Sequence, residues 1–117
     1  MPRILVLDDN ALIAALLQDW LQELGHDVAG PVESVARALQ LIDEATIHAA
    51  FLDLSVIDGT CYPVAEALHQ RAVPFTFATG GAMDEIEARF AAAPVLIKPY
   101  DFGDIKNAID RMLGPQR

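Results

Sequence analysis

The chain has 117 residues, 53% of them hydrophobic, with a mean hydropathy of +0.29. That is enough for one buried core and too apolar for a disordered segment. Seventeen acidic against eight basic residues give a net charge of −9, which repels phosphate backbones and argues against direct nucleic-acid binding. The single cysteine, Cys61, excludes an internal disulfide and fits a reducing compartment. There is no matched Cys and His set for zinc, no signal peptide in Met1-Pro2-Arg3-Ile4, and no apolar run long enough to span a bilayer. A cytoplasmic protein that does not engage a membrane is expected.

Arg3-Ile4-Leu5-Val6-Leu7 is an apolar run closed by Asp8-Asp9-Asn10, which reads as a buried strand with acids at its C-terminal end. From Ala11 to Leu24 the apolar residues recur at helical spacing. Leu12, Ala15, Leu16, Trp20 and Leu24 form the expected inward stripe, with Ile13 and Leu17 beside it; Asn10 is the expected N-cap and Gly25 the stop. Asp27-Val28-Ala29-Gly30 is a weaker second strand. Ser34 caps a second helix running to Ala45, with Val35, Ala38, Leu39 and Ile42 on one face. Ala49-Ala50-Phe51-Leu52 is a third strand, and Asp53 follows it at once.

Val56 to Thr60 reads as a loop with an Asp58-Gly59 turn. A third helix spans Tyr62 to Ala72, with Pro63 in its first turn and Val64, Ala65 and Leu68 inward. Pro74 to Thr79 is a fourth strand ended by Gly80-Gly81. Asp84 to Ala93 is expected to be helical. Pro94 to Ile97 is a short fifth strand, and Asp101 caps a final helix reaching Leu113. Five strand–helix repeats with mostly apolar strands imply a parallel sheet covered on both faces.

In such a sheet the C-terminal strand ends converge on one edge, where ligands bind. That edge collects Asp8 and Asp9, Asp53, Thr79, and Lys98 followed by Pro99. Three neighbouring carboxylates stay ionised only beside a cation, and carboxylate oxygens with waters suit magnesium. Lys98 adds a positive charge and Thr79 a hydroxyl. Three phosphoryl oxygens could then meet metal, ammonium and hydroxyl, the elements of phosphoryl transfer by positioning and charge neutralisation. The remaining candidates have plainer readings. His26, His48 and His69 are scattered, Trp20 fits a half-buried helix position, and Phe75 and Phe77 fit core. Tyr100 is either exposed for partner contact or packed at the helix start.

The set Asp8-Asp9, Asp53, Thr79 and Lys98-Pro99, in that order on a fivefold strand–helix chain, resembles the receiver domain of two-component response regulators. The resemblance covers residues 1–117 as a single receiver domain with no output domain. It implies an α/β, flavodoxin-like fold with strand order 2-1-3-4-5. It implies that Asp53 accepts a phosphoryl group from a histidine kinase or phosphotransfer protein. Magnesium would bind Asp9, Asp53 and the Ser55 carbonyl, with Asp8 acting through water. Thr79, with Gly80 after it, would meet the phosphoryl group, Lys98 would pair with it, and Pro99 would follow a cis peptide. A downstream protein target would be read through helix four, strand five and helix five; a homodimer stays open.

Two departures accompany the resemblance. Asp58-Gly59 arrives about two residues early for a receiver and the usual proline is missing. Val95 replaces the Tyr or Phe that receivers carry three residues before the lysine, so the ring-swinging switch lacks its ring. Phe77-Ala78-Thr79-Gly80 looks like a receiver subgroup marked by a Phe-Ala-Thr-Gly signature, which also lacks that aromatic. Motion of the Gly80-Gly81 backbone would replace ring rotation there. A phosphorylation-independent receiver-like binding module is the alternative. Two further readings fit less well. A haloacid-dehalogenase-like phosphatase would need a second Asp where Ser55 stands. A flavodoxin would need a hydroxyl-rich loop where Asp8-Asp9 would repel phosphate.

Overall fold

A computed structural model describes residues 2–81 and 86–114. Five parallel strands form one sheet: β1 (Arg3–Leu7), β2 (Asp27–Val32), β3 (Ala49–Asp53), β6 (Phe75–Thr79) and β7 (Val95–Ile97), in the order β2-β1-β3-β6-β7. This is the expected 2-1-3-4-5 arrangement of the flavodoxin-like fold, because β4 (Ser55–Val56) and β5 (Gly59–Thr60) form a separate hairpin. The register is continuous where it matters for the site. Val6 pairs with Phe51, Leu7 with Leu52, and Asp53 with Ala78.

The strands are apolar on both faces because both faces are covered. Ile4, Val6, Ala49 and Phe51 pack on α1 (Ala11–Glu23) and α4 (Phe102–Leu113). Leu5, Leu7, Ala50, Leu52 and Phe77 pack on α2 (Val35–Glu44) and α3 (Tyr62–Gln70). Each fully buried Leu, Ile or Phe contributes about 1.5–3 kcal/mol over its exposed state. The caps are those expected: Asn10 accepts from Leu12 and Ile13 N–H, Ser34 from Arg37 N–H, and Asp101 forms a capping box with Asp104. None of the helices described is long and apolar enough to cross a membrane.

Five expectations need correction. The inward face of α1 is Ala14, Leu17 and Leu21, while Leu12, Ala15 and Leu16 point outward; Leu12 is 80% exposed. Its first half, Ala11 to Leu17, is apolar without a break, so spacing alone did not choose the buried stripe. The Asp84–Ala93 helix is absent over Ile86–Ala93, which holds only a 3-10 turn at Ala88–Phe90; Asp84 and Glu85 lie outside the described residues. The buried Phe90 ring stacks on Tyr62 at 5.6 Å and meets Phe75 and Phe77 edge-on, while the Tyr62 hydroxyl accepts the Glu87 N–H. Those contacts and Pro94 hold the segment in a tight i+3 pattern (Phe90 N–H to Glu87, Ala91 N–H to Ala88) rather than an α-helix. The helix-four part of the expected output face therefore has no α-helix among the described residues. Val56–Thr60 is not a plain loop, since Ser55 pairs with Thr60 and Val56 with Gly59. Finally, β2 runs on to Val32, and α3 stops at Gln70 instead of Ala72.

His26 is 3% exposed, and both ring nitrogens lack a hydrogen-bond partner. Burial holds its pKa below the usual 6.5. The unfolded chain therefore binds the proton more readily, and stability falls as pH drops through 6.5 toward the depressed folded value. Comparing melting temperatures of wild type and His26→Leu from pH 7.5 to 5 checks this: the wild type should lose stability relative to the variant on the acid side.

Candidate functional site

Asp8 follows β1, Asp53 ends β3, Thr79 ends β6 and Lys98 follows β7, so the sheet delivers all four to one edge. The Lys98 ammonium lies 3.0 Å from Asp8 Oδ2 and 3.2 Å from Asp53 Oδ2, bridging the two. Asp9 joins them: one oxygen each of Asp8, Asp9 and Asp53 lies within 4.8 Å of the others. Asp8 and Asp53 are largely buried, whereas Asp9 is exposed. The peptide between Lys98 and Pro99 is cis, as expected.

Backbone contacts fix Asp8 and the strand ends around it. Asp8 Oδ1 accepts the Asn10 N–H at 2.8 Å, and the Asp8 N–H donates to the Val32 carbonyl at 2.9 Å. The Leu54 N–H donates to the Ala78 carbonyl, carrying the β3–β6 pairing one residue past Asp53. The Lys98 N–H donates to the Thr79 carbonyl at 2.8 Å, registering lysine against threonine. The buried Thr79 hydroxyl accepts the Gly81 N–H at 3.0 Å, which leaves its own proton to donate. Gly80 lies outside the positive-φ region, and an added Cβ would meet nothing within 4 Å. Ser55 is exposed at the base of the hairpin, and half-buried Val95 pairs with Phe77.

Electrostatics follow from this crowding. Burial raises the Asp53 pKa to about 6, with the charges of Asp8 and Asp9 adding to it and Lys98 opposing. Burial by itself would lower the Lys98 pKa, but its hydrogen bond to Asp8 and the charges of Asp53 and Asp8 outweigh that and raise it. Burial, then the Asp53 charge, pushes the Cys61 thiol up to about 12, so it is inert near neutrality. Tyr100 is packed, with Trp20 at 6.5 Å, and its buried hydroxyl has no hydrogen-bond partner. Burial and the two nearby carboxylates raise its pKa.

The expected residues Asp8, Asp9, Asp53 and Lys98 thus meet, and Thr79 stands beside them through the Lys98 backbone. One contact had no sequence signal beyond the early Asp-Gly pair. The Asp58 carboxylate crosses to α2 and accepts the Val35 and Ala36 N–H groups at 2.7 and 3.2 Å.

Neither a scan against protein-family models nor a search of curated proteins returns a match. Solved structures do match. The chain is 40% identical to SdrG from Sphingomonas melonis Fr1 over 97% of each chain, with a TM-score of 0.85, and its structural neighbours are response regulator receiver domains. The chain belongs to the response regulator receiver family. It is also 41% identical, over 95% of each chain, to the BeF3-activated conformation of SdrG from Pseudomonas melonis Fr1, with a TM-score of 0.81. The response regulator TrrA from Thermotoga maritima, solved with magnesium and beryllofluoride, shares the receiver fold at 24% identity, 97% coverage of this chain and 100% of that one, and a TM-score of 0.84.

Removing the bridging ammonium should shift the acids of this receiver. In Lys98→Met the Asp53 pKa is expected to rise above about 6, because the one opposing charge is lost. Carboxyl-carbon NMR titration in the absence of divalent cations measures it directly.

Proposed function

We propose that this receiver takes a phosphoryl group on Asp53, with magnesium, from a histidine kinase or phosphotransfer protein in the cytoplasm, and signals through changed protein contacts. The observation that carries the reading is the convergence of Asp8, Asp9 and Asp53 within 4.8 Å beside the Lys98 ammonium. Such a donor set, rich in carboxylate oxygens and open to water at Asp9, fits magnesium. Asp9, Asp53 and the Ser55 carbonyl would hold the ion, with Asp8 acting through water. When bound, magnesium supplies charge neutralisation for the phosphoryl oxygens.

The chain's own residues then have separate tasks. An Asp53 oxygen attacks phosphorus as the donor's P–N bond breaks, and the imidazole nitrogen leaves with the electron pair and takes up a proton from solvent. With a pKa near 6, Asp53 is mostly ionised at neutral pH and so is available as a nucleophile. Lys98 trades its carboxylate contact for a phosphoryl oxygen. The Thr79 hydroxyl, oriented by the Gly81 N–H, donates to another. Phe77-Ala78-Thr79-Gly80 and the ringless Val95 support membership of the Phe-Ala-Thr-Gly receiver subgroup.

A protein donor suits the surface. The large apolar side chains exposed among the described residues are Leu12, Leu16, Ile57 and Ile97. Leu12 is in the first turn after Asp8-Asp9, with Leu16 one turn on; Ile57 caps the hairpin after Asp53; Ile97 precedes Lys98. Exposed apolar groups around a polar centre are the pattern of a protein contact. For the downstream target, the 86–93 segment stands in place of the expected helix four, beside β7 and α4. β7 is an edge strand bordering both Thr79 and Lys98.

Intact-mass spectrometry after incubation with a small acyl phosphate tests the chemistry. Wild type with magnesium should gain one phosphoryl group, and Asp53→Ala or magnesium removal should abolish the gain. No gain and no magnesium binding would favour the phosphorylation-independent module. Transfer should also weaken as pH falls through about 6, with protonated Asp53 no longer nucleophilic, and bound magnesium moves that midpoint lower. Leu12→Ser with Ile57→Ser should slow transfer from a phosphohistidine protein about tenfold, as expected for loss of an apolar contact, while leaving the acyl-phosphate rate unchanged.

A further inference from the structure

The short hairpin after Asp53 is held at both ends. At its base the Cys61 N–H donates to the Leu54 carbonyl at 3.0 Å, and Ser55 pairs with Thr60. At its tip, Gly59 at φ +133° turns the chain and leaves Asp58 reaching across to α2. A helix begins with four N–H groups that lack intrahelical partners. In α2 side chains take three of them: Asp58 those of Val35 and Ala36, and the Ser34 hydroxyl that of Arg37. The Asp58 carboxylate is also favoured there by the positive end of the helix. The N–H groups it accepts hold its pKa below the usual carboxylate range.

This contact joins two loops of the site. The β2–α2 loop starts from Val32, whose carbonyl takes the Asp8 N–H, and the β3–α3 connection carries Ser55. We infer that Asp58 is a positioning residue for the cation site: by tying the hairpin tip to the first turn of α2, it fixes the Ser55 carbonyl relative to Asp8 and Asp53. The inference rests on the receiver chemistry proposed above. It also gives the early Asp58 a purpose, since the shortened loop puts a carboxylate where the α2 amides lie.

Magnesium titration of isotope-labelled protein, followed by amide chemical shifts, tests this in wild type, Asp58→Ala, Asp58→Asn and Ser34→Ala. Groups that orient metal ligands typically change affinity by about 10- to 100-fold. With Asp58 exposed, about tenfold weaker binding in Asp58→Ala is expected, at the low end of that range. The magnesium concentration for half-maximal phosphorylation should rise with it, while the rate at saturating magnesium holds. Asp58→Asn keeps one acceptor and should recover part of the affinity. Ser34→Ala removes a cap from the same helix without touching the hairpin, and it should bind magnesium like wild type.

Hydrogen exchange supplies the structural readout, with the Val35 and Ala36 amides exchanging faster in Asp58→Ala. Faster exchange with unchanged magnesium affinity would reduce Asp58 to a helix cap and overturn the inference. So would an equal loss of affinity in Ser34→Ala, which would trace the effect to fraying of α2. Wild-type protein that binds no magnesium would overturn the reading of Asp8, Asp9 and Asp53 instead.

Discussion

The ammonium of Lys98, 3.0 Å from one carboxylate and 3.2 Å from another, sets the terms for this fold. Three acids at one sheet edge repel one another, and two of them are largely buried. Burial, with the charges of Asp8 and Asp9 adding to it, outweighs the one lysine, which is why the Asp53 pKa still stands near 6. The site is thus left short of positive charge. A structure designed only for stability would replace such a cluster with apolar side chains. A site meant to receive a cation benefits from the deficit, because the ion relieves repulsion already present and offsets the charge of an anionic group that follows.

The rest of the architecture serves the placement of that cluster. A parallel sheet needs helical crossovers, and those crossovers put every strand's C-terminal end on one side. Short of the residues at their C-terminal ends, the strands are mostly apolar on both faces and carry none of the site's chemistry. The polar contacts that aim the site come from the last residues of the strands and those just past them. These are the Asn10 N–H on Asp8, the Val32 carbonyl on the Asp8 N–H, the Lys98 N–H on the Thr79 carbonyl, and the Gly81 N–H on the Thr79 hydroxyl. The Asp8–Val32 and Lys98–Thr79 bonds tie neighbouring strand ends together, and the other two close the turns after Asp8 and Thr79.

The legibility of the sequence follows the same division. Apolar runs ended by acids located β1 and β3, and the Asn10, Ser34 and Asp101 caps were readable because capping is a local event within three residues. The meeting of Asp8, Asp53 and Lys98 was readable because topology carries it. Failures came where periodicity was degenerate or where tertiary contacts overrode it. From Ala11 to Leu17 every position of α1 is apolar, so spacing there could not tell Leu12 from Leu17. Over 86–93 the alanine-rich pattern favours an α-helix, yet Phe90 is drawn into the Tyr62, Phe75 and Phe77 rings. Asp58 reaching the α2 amides spans more than 20 residues and leaves no local trace.

Those rings bear on how a receiver without a strand-five aromatic could respond. Val95 occupies that position and pairs with Phe77, which lies two residues before Thr79 on β6. Phe77 meets Phe90 at 5.8 Å and Tyr62 at 6.2 Å, and the Tyr62 hydroxyl takes the Glu87 N–H. The aromatic surface that receivers place on strand five is here distributed over β6, α3 and the 86–93 segment. On the proposed chemistry, drawing Thr79 toward a phosphoryl group pulls on the C-terminal end of β6, where Phe77 is already wedged against Phe90. A packed interior does not deform smoothly, so a small displacement there is resisted until the rings repack. The 86–93 segment holds its shape through ring contacts and short i+3 hydrogen bonds rather than through a helical ladder. It is therefore the part of this face least able to resist, and the place where a change at Thr79 would reach the surface.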